Sequence, residues 1–167
     1  AKKELGVFET ADERIHRGRG QNQFVETMET LVNYAASNLA VQEGKSDVRD
    51  VLRDMKPFAL TKPTRPSPNE TTGVYDMLLM DDYKAAAAEF RTKTEAFKQG
   101  QANMWSVISG QTSKKMMSEL KATTDYKAAL LTSDILALVK GIKIVSYKCE
   151  GYRHTASSTL LNANRDL

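Results

Sequence analysis

Cysteine is nearly missing from this chain. Cys149 is the only one among 167 residues, so no intrachain disulfide can form, which fits a reducing compartment. Histidine is almost as scarce, with His16 and His154 alone. Two histidines and one cysteine cannot build a zinc knuckle, and neither histidine sits in a local signature that would activate a thiol. Cys149 therefore reads as a small apolar residue near a helix end. No apolar run reaches the roughly 18 residues that a membrane-spanning helix needs. The opening Ala1-Lys-Lys-Glu-Leu-Gly6 has no apolar stretch of the signal-peptide kind.

Catalytic signatures are missing too. The chain has no Asp-Thr-Gly or Asp-Ser-Gly, no Gly-x-x-x-x-Gly-Lys and no Gly-x-Ser-x-Gly. Gly18-Arg-Gly20 is a bare GxG with no strand before it, and so is not a dinucleotide fingerprint. The acidic pairs Asp81-Asp82 and Glu89/Glu95 have no histidine or second acidic cluster to work with, and read as a solvated helix face. No enzymatic activity, cofactor or metal is expected.

What is present is helical. The hydrophobic fraction of 41% allows a modest core, and the length points to one domain, two at most. From Gln21 to Ala40, Phe24, Met28, Leu31, Val32, Ala35 and Leu39 step by three and four and define one helical face. Gly44 reads as a stop. Ser46 and Asp47 read as caps for a second stripe, Val48, Val51, Leu52 and Met55. Residues 57–73 hold all four prolines (Pro57, Pro63, Pro66 and Pro68), a composition that favours extended chain over hydrogen-bonded structure. Pro63 and Pro66 form a PxxP pair, readable as a spacer or as a docking motif.

The longest pattern follows. Tyr83, Phe90, Phe97 and Met104 recur every seven residues, and Ala87, Thr94, Gln101 and Ile108 follow each by four, an a/d-type seam with a weak d column. This predicts one helix over about 71–109, with a bend allowed at Gly100. The seam serves either packing within the chain or a neighbouring subunit. Thr112 or Ser113 caps a short helix carrying Met116, Met117 and Leu120. A turn near Thr123–Asp125 leads into Tyr126, Ala129, Leu130 and Leu131. Ser133 and Asp134 cap a helix apolar around most of its circumference (Ile135, Leu136, Leu138, Val139, Ile142, Val145), which belongs at the centre. Gly141 within it allows close helix contact. No alternating strand pattern competes. The expectation is an all-α fold, a bundle of six to seven helices with one long helix. It comprises an N-terminal arm over 1–20, a body over 21–151 and a C-terminal helical segment over 152–167 that serves as hinge or interface.

Net charge is +3, too little for a dedicated nucleic-acid arm. Arg14, Arg17 and Arg19 cluster beside Asp12 and Glu13, readable as a solvated loop or as a phosphate contact.

Several segments in order resemble the Gag protein of copia-type LTR retrotransposons, in particular the copia-like elements of unicellular algae. They are Phe24-Val-Glu-Thr-Met-Glu-Thr-Leu-Val-Asn-Tyr34, the proline-bearing loop, and Trp105-Ser-Val-Ile-Ser-Gly-Gln111 at the end of a long charged helix. Lys115-Met-Met-Ser-Glu-Leu120, Asp125-Tyr126 and Asp134-Ile-Leu-Ala-Leu-Val-Lys-Gly-Ile-Lys143 follow. The resemblance implies a fold similar to the N-terminal domain of a retroviral capsid protein, and a subunit that tiles into pentamers and hexamers. It implies an intracellular, cytoplasmic virus-like particle around RNA, with no membrane partner. Trp105, Ile108, Leu120, Leu136, Val139 and Ile142 would form the core signature. Phe24, Glu26, Met28, Glu29, Asn33, Tyr83 and Phe90 would contribute to assembly contacts. Arg14, Arg17, Arg19, Lys114, Lys115, Lys121, Lys140 and Lys143 would face RNA, although the lysines also have an ordinary solubility reading. The chain departs from the family in lacking a Cys-Cys-His-Cys knuckle, so knuckle-based genome binding is not implied. A helical adaptor, binding a partner through the proline-rich loop or the Met-bearing surface, is the competing expectation.

Overall fold

The computed structural model describes residues 5–18 and 22–148. Seven α-helices lie among them: α1 (Ala11–His16), α2 (Phe24–Asn38), α3 (Lys45–Asp54), α4 (Met77–Gly110), α5 (Lys114–Lys121), α6 (Thr124–Thr132) and α7 (Ile135–Tyr147), with a single 3-10 turn at Val41–Glu43. The all-α expectation holds. Cys149, Gly151, His154 and the 152–167 segment lie outside the described residues, as does Arg19.

Side-chain oxygens punctuate the second half of the chain where the sequence places them. Ser113 Oγ accepts from Met116 N at 3.1 Å and Asp134 Oδ1 from Ala137 N at 3.1 Å, each satisfying an orphan donor of a first helical turn. Thr123 caps α6 in the same way. Ser133, expected as a cap for α7, instead closes α6 in the left-handed region at φ 53°. Ser46 and Asp47 lie inside α3, whose N-terminal boundary is Gly44 at φ 62°. α2 ends earlier than Gly44, at Asn38.

α7 is the hub. Ile135, Leu138, Val139 and Ile142 are buried, and the helix packs against α1, α3, α4, α5 and α6. Full burial of one such aliphatic side chain is worth about 1.5–3 kcal/mol. Gly141 has the role expected of it, since a Cβ there would sit 3.2 Å from Leu120 Cδ2. Of the expected core signature, Trp105, Ile108, Leu120, Val139 and Ile142 are buried, and Trp105 lies against Tyr126 at 5.8 Å. Leu136 departs from the expectation. It is only partly buried, because it faces the flank of the packed stripe that Ile135 and Leu138 fill.

α4 has 34 residues, about 51 Å at 1.5 Å per residue. Only its last part enters the core, through Phe97, Gly100, Met104, Trp105 and Ile108. The helix runs through Gly100 without interruption. The glycine is there for proximity: a Cβ at this position would collide with the carbonyl oxygen of Glu43. The Glu43 carboxylate takes up the remaining freedom, accepting from Asn103 Nδ2 at 2.6 Å and from Ala40 N at 2.8 Å.

The first twenty residues of α4 leave the body, and the proline-rich segment runs beside them. Phe58 stacks on Phe97 with ring centroids 4.1 Å apart. Leu60, Pro63 and Pro66 are half-buried at three-residue spacing, and Met80, Tyr83, Ala87, Phe90 and Thr94 on α4 are half-buried at alternating steps of three and four. The lengths match: Phe58 to Pro66 in polyproline II covers about 25 Å at 3.1 Å per residue, and Phe97 back to Met80 in a helix covers about 25 Å at 1.5 Å per residue. The segment is a strap along the seam, closed by a turn in which Asn69 N donates to Val74 O at 2.9 Å, and by Arg65 lying 5.2 Å over the Tyr75 ring.

The two helical glycines of α4 give opposite expectations. Gly100→Ala should destabilise by more than about 2 kcal/mol, because the backbone of Glu43 has to move. Gly110→Ala meets nothing within 4 Å and should stabilise by about 0.5–1 kcal/mol. Urea midpoints of the two variants against the parent check both signs.

Candidate assembly and RNA-facing surfaces

The residues expected at an assembly interface divide between core and surface. Phe24 and Met28 are buried; Phe24 is held between Phe8 at 5.6 Å and Tyr147 at 6.0 Å. Both serve mainly the core of their own chain, and only their edges reach the outside. Glu26, Glu29 and Asn33 are exposed. Glu29 and Asn33 lie with those edges on a groove of about 540 Å3 between α2, α3 and α7. Its apolar floor is completed by Val25, Val32 and Met55, and Lys143 and Arg53 stand at its rim. Glu26 belongs to a separate, more polar hollow of about 650 Å3 beside Gly6 and Gln111. Tyr83 and Phe90 are half-buried on the strap-bearing face of α4, so much of the seam is used within the chain.

Of the expected RNA-facing residues, Arg14 is the clear correction. It is 7% exposed, and its Nη2 donates to the carbonyl of Ser146 at 3.0 Å. The guanidinium meets a carbonyl in the last turn of α7, the end of a helix where a cation is favoured. Arg17 Nη1 meets Glu9 Oε1 at 2.6 Å. Lys115 is tied to Asp12 at 2.9 Å; this bond lowers the Asp12 carboxyl and raises the Lys115 ammonium from their ordinary values. Lys114, Lys121, Lys140 and Lys143 are exposed on α5 and α7, with no ion pair among the described residues. The acidic residues considered for catalysis are all exposed on α4; Glu89 is bridged to Lys93 at 2.7 Å, Glu95 to Lys98 at 3.5 Å and Asp81 to Lys84 at 3.5 Å. Among the described residues no group of three or more His, Cys, Asp or Glu is placed to hold a metal ion. No helix there is long and apolar enough to cross a membrane.

The arginines sit on a latch that local patterning does not reveal. Phe8 N donates to Gln111 O at 2.8 Å and Ser113 N to Phe8 O at 2.9 Å, pinning the N-terminal segment to the α4–α5 junction. Thr10 and Glu13 then form a reciprocal capping box on α1. Glu13 Oε2 also accepts from Ser113 Oγ at 2.7 Å, so Ser113 starts α5 and holds α1 together. The Met-bearing surface of the adaptor expectation is mostly interior, since Met116 is fully buried and Met117 half-buried.

One surface lies outside the sequence-based expectations. At the free end of α4, Val74, Met77, Leu78 and Leu79 are between 53% and 76% exposed. Residues 69–82 also hold Glu70, Asp76, Asp81 and Asp82, with no Lys or Arg. The available signal is the run Met77-Leu-Leu-Met80 beyond the last heptad, too short to show which side is bare. Comparison with family models, with curated proteins and with solved structures finds no match.

The Glu13 carboxyl carries a pH dependence. Partial burial pushes it up, but the Ser113 hydroxyl, the Thr10 amide and hydroxyl, and Arg17 outweigh this and hold it below the ordinary value of 4.5. A lowered carboxyl contributes stability above 4.5 that is lost as pH falls through the folded value. Glu13→Gln should therefore cost about 1 kcal/mol at pH 7. The gap between parent and variant should close as pH falls below 4.5, measured by thermal unfolding from pH 7 to 3.

Proposed function

We propose that this chain is a structural, self-assembling subunit of Gag capsid type, building a virus-like particle shell around RNA inside the cell and catalysing no reaction. The supporting observation is the apolar end of α4. Monomeric proteins rarely leave a contiguous patch of large aliphatic side chains bare, and such patches mark protein contacts. The resemblance of the Phe24–Tyr34, Trp105–Gln111 and Asp134–Lys143 segments to copia-type Gag proteins supports the same reading. Its mechanism is repetition: a modest contact, made identically by every copy, closes into rings and shells. The adaptor reading needs an accessible PxxP face or Met-bearing surface, whereas Pro63, Pro66 and Met117 are half-buried and Met116 is fully buried.

RNA binding in this reading falls to Lys114, Lys121 and Lys140, exposed cations on α5 and α7. Light scattering and electron microscopy of the purified protein at rising concentration should show rings, tubes or shells; a single-chain mass at every concentration and salt would remove the assembly reading. Particles should carry nuclease-sensitive absorbance at 260 nm. Replacing the three lysines by alanine should lower that absorbance and flatten the salt dependence of RNA binding, by about one unit of slope for each phosphate no longer neutralised, with assembly retained.

A further inference from the structure

The bare end of α4 and the groove between α2, α3 and α7 are complementary. The end presents Met77, Leu78 and Leu79, exposed, within a stretch whose four charges are all carboxylates. The groove has an apolar floor of Val25, Val32 and Met55, with Lys143 and Arg53 at its rim and Glu29 as its one carboxylate. Arg53 is already shared by Asp50 and Asp54, whereas Lys143 has no ion pair among the described residues. Within the acidic stretch, Asp81 has Lys84 at 3.5 Å and Tyr75 lies under Arg65, while Asp82 has no ion pair among the described residues.

A chain cannot fill its own groove this way. Met77–Met80 lie about 25 Å or more along α4 beyond Phe97, the outermost residue buried in the body, at 1.5 Å per residue. Two α4 ends are poor partners for each other, since the contact would gather their carboxylates. The same carboxylates disfavour an anionic lipid surface or RNA. We propose that the end of α4 from one copy docks in the α2–α3–α7 groove of a second copy, Leu78 entering the apolar floor and Asp82 approaching Lys143. This rests on the self-association reading above and names the surfaces that perform it. The contact joins unlike surfaces, so it propagates from copy to copy, closing as a ring where the rotation allows.

The test uses the full chain with Cys149→Ser. Leu78→Cys and Val25→Cys are placed in separate preparations, mixed and oxidised. The mixed disulfide is expected, with little cross-linking in either preparation alone. In parallel, sedimentation of otherwise parental protein measures self-association. Lys143→Glu and Asp82→Lys should each weaken it about threefold to fivefold, and the two together in one chain should restore it to within about twofold. Leu78→Asp should weaken it more than about tenfold, with an unchanged helical spectrum showing that the fold persists. Assembly that survives Leu78→Asp, Leu78→Cys that pairs only with itself, or charge variants that fail to rescue each other would overturn the docking and leave self-assembly standing. A parent that stays a single chain throughout would overturn both.

Discussion

Burial of the last four turns of α4 is the constraint on which the other surfaces depend. Phe97, Met104, Trp105 and Ile108 enter the core, and Gly100 lets the 3-10 turn come against the helix so closely that no side chain could intervene. A helix gripped at one end is held in direction for the rest of its length, because its hydrogen-bond ladder resists bending. The twenty outward residues are thus presented at a defined angle. The strap adds to that definition, converting a seam that would otherwise face water into an intrachain contact anchored by Phe58 on Phe97. An exposed aliphatic end on a mobile arm would collapse onto the nearest apolar surface; on a supported rod it is kept away from its own body.

How much of this the sequence discloses depends on the range of the interaction concerned. Ser113 and Asp134 are legible as caps because a cap involves residues two or three apart and the apolar period restarts beside it. The central position of α7 is legible because apolar residues around a whole circumference leave no side for water. Arg14 misleads because its charge suggests solvent, whereas its environment is fixed by the C-terminal end of a helix 132 residues away in sequence. α1 escapes sequence reasoning although Thr10-Ala-Asp-Glu13 has the spacing of a capping box. A helix of six residues has no apolar period to attract notice, and one of its few apolar side chains, Ile15, is 47% exposed. Gly100 reads locally as a weakness, when a backbone oxygen from Glu43 decides its identity. Of the candidate surfaces, the exposure of Glu29, Asn33 and the lysines of α5 and α7 follows from helical periodicity. The bare α4 end does not, because nothing in the chain says where the strap stops.

The charge distribution is what the proposed docking of the bare end in the groove draws on. Residues 69–82 carry only carboxylates, while α7 carries Lys140 and Lys143 and no acid. Screening limits the reach of such fields to about 8 Å at physiological salt, so they do not hold copies together across the length of α4. In the proposed docking they would act at encounter, favouring an end-to-groove approach over end-to-end, and the aliphatic side chains would supply the retention once water is displaced. A contact of this kind is weak singly, which suits an assembly that must correct misplaced subunits before it closes. The same cations are also the exposed ones an RNA would meet. A particle made this way would therefore divide its lysines between two acidic partners: Lys143, on the groove rim, to the neighbouring copy, and Lys114, Lys121 and Lys140, outside the groove, to phosphate. Such a division would tie packaging to assembly, because lysines left unpaired inside a closing shell would repel one another until a polyanion neutralised them.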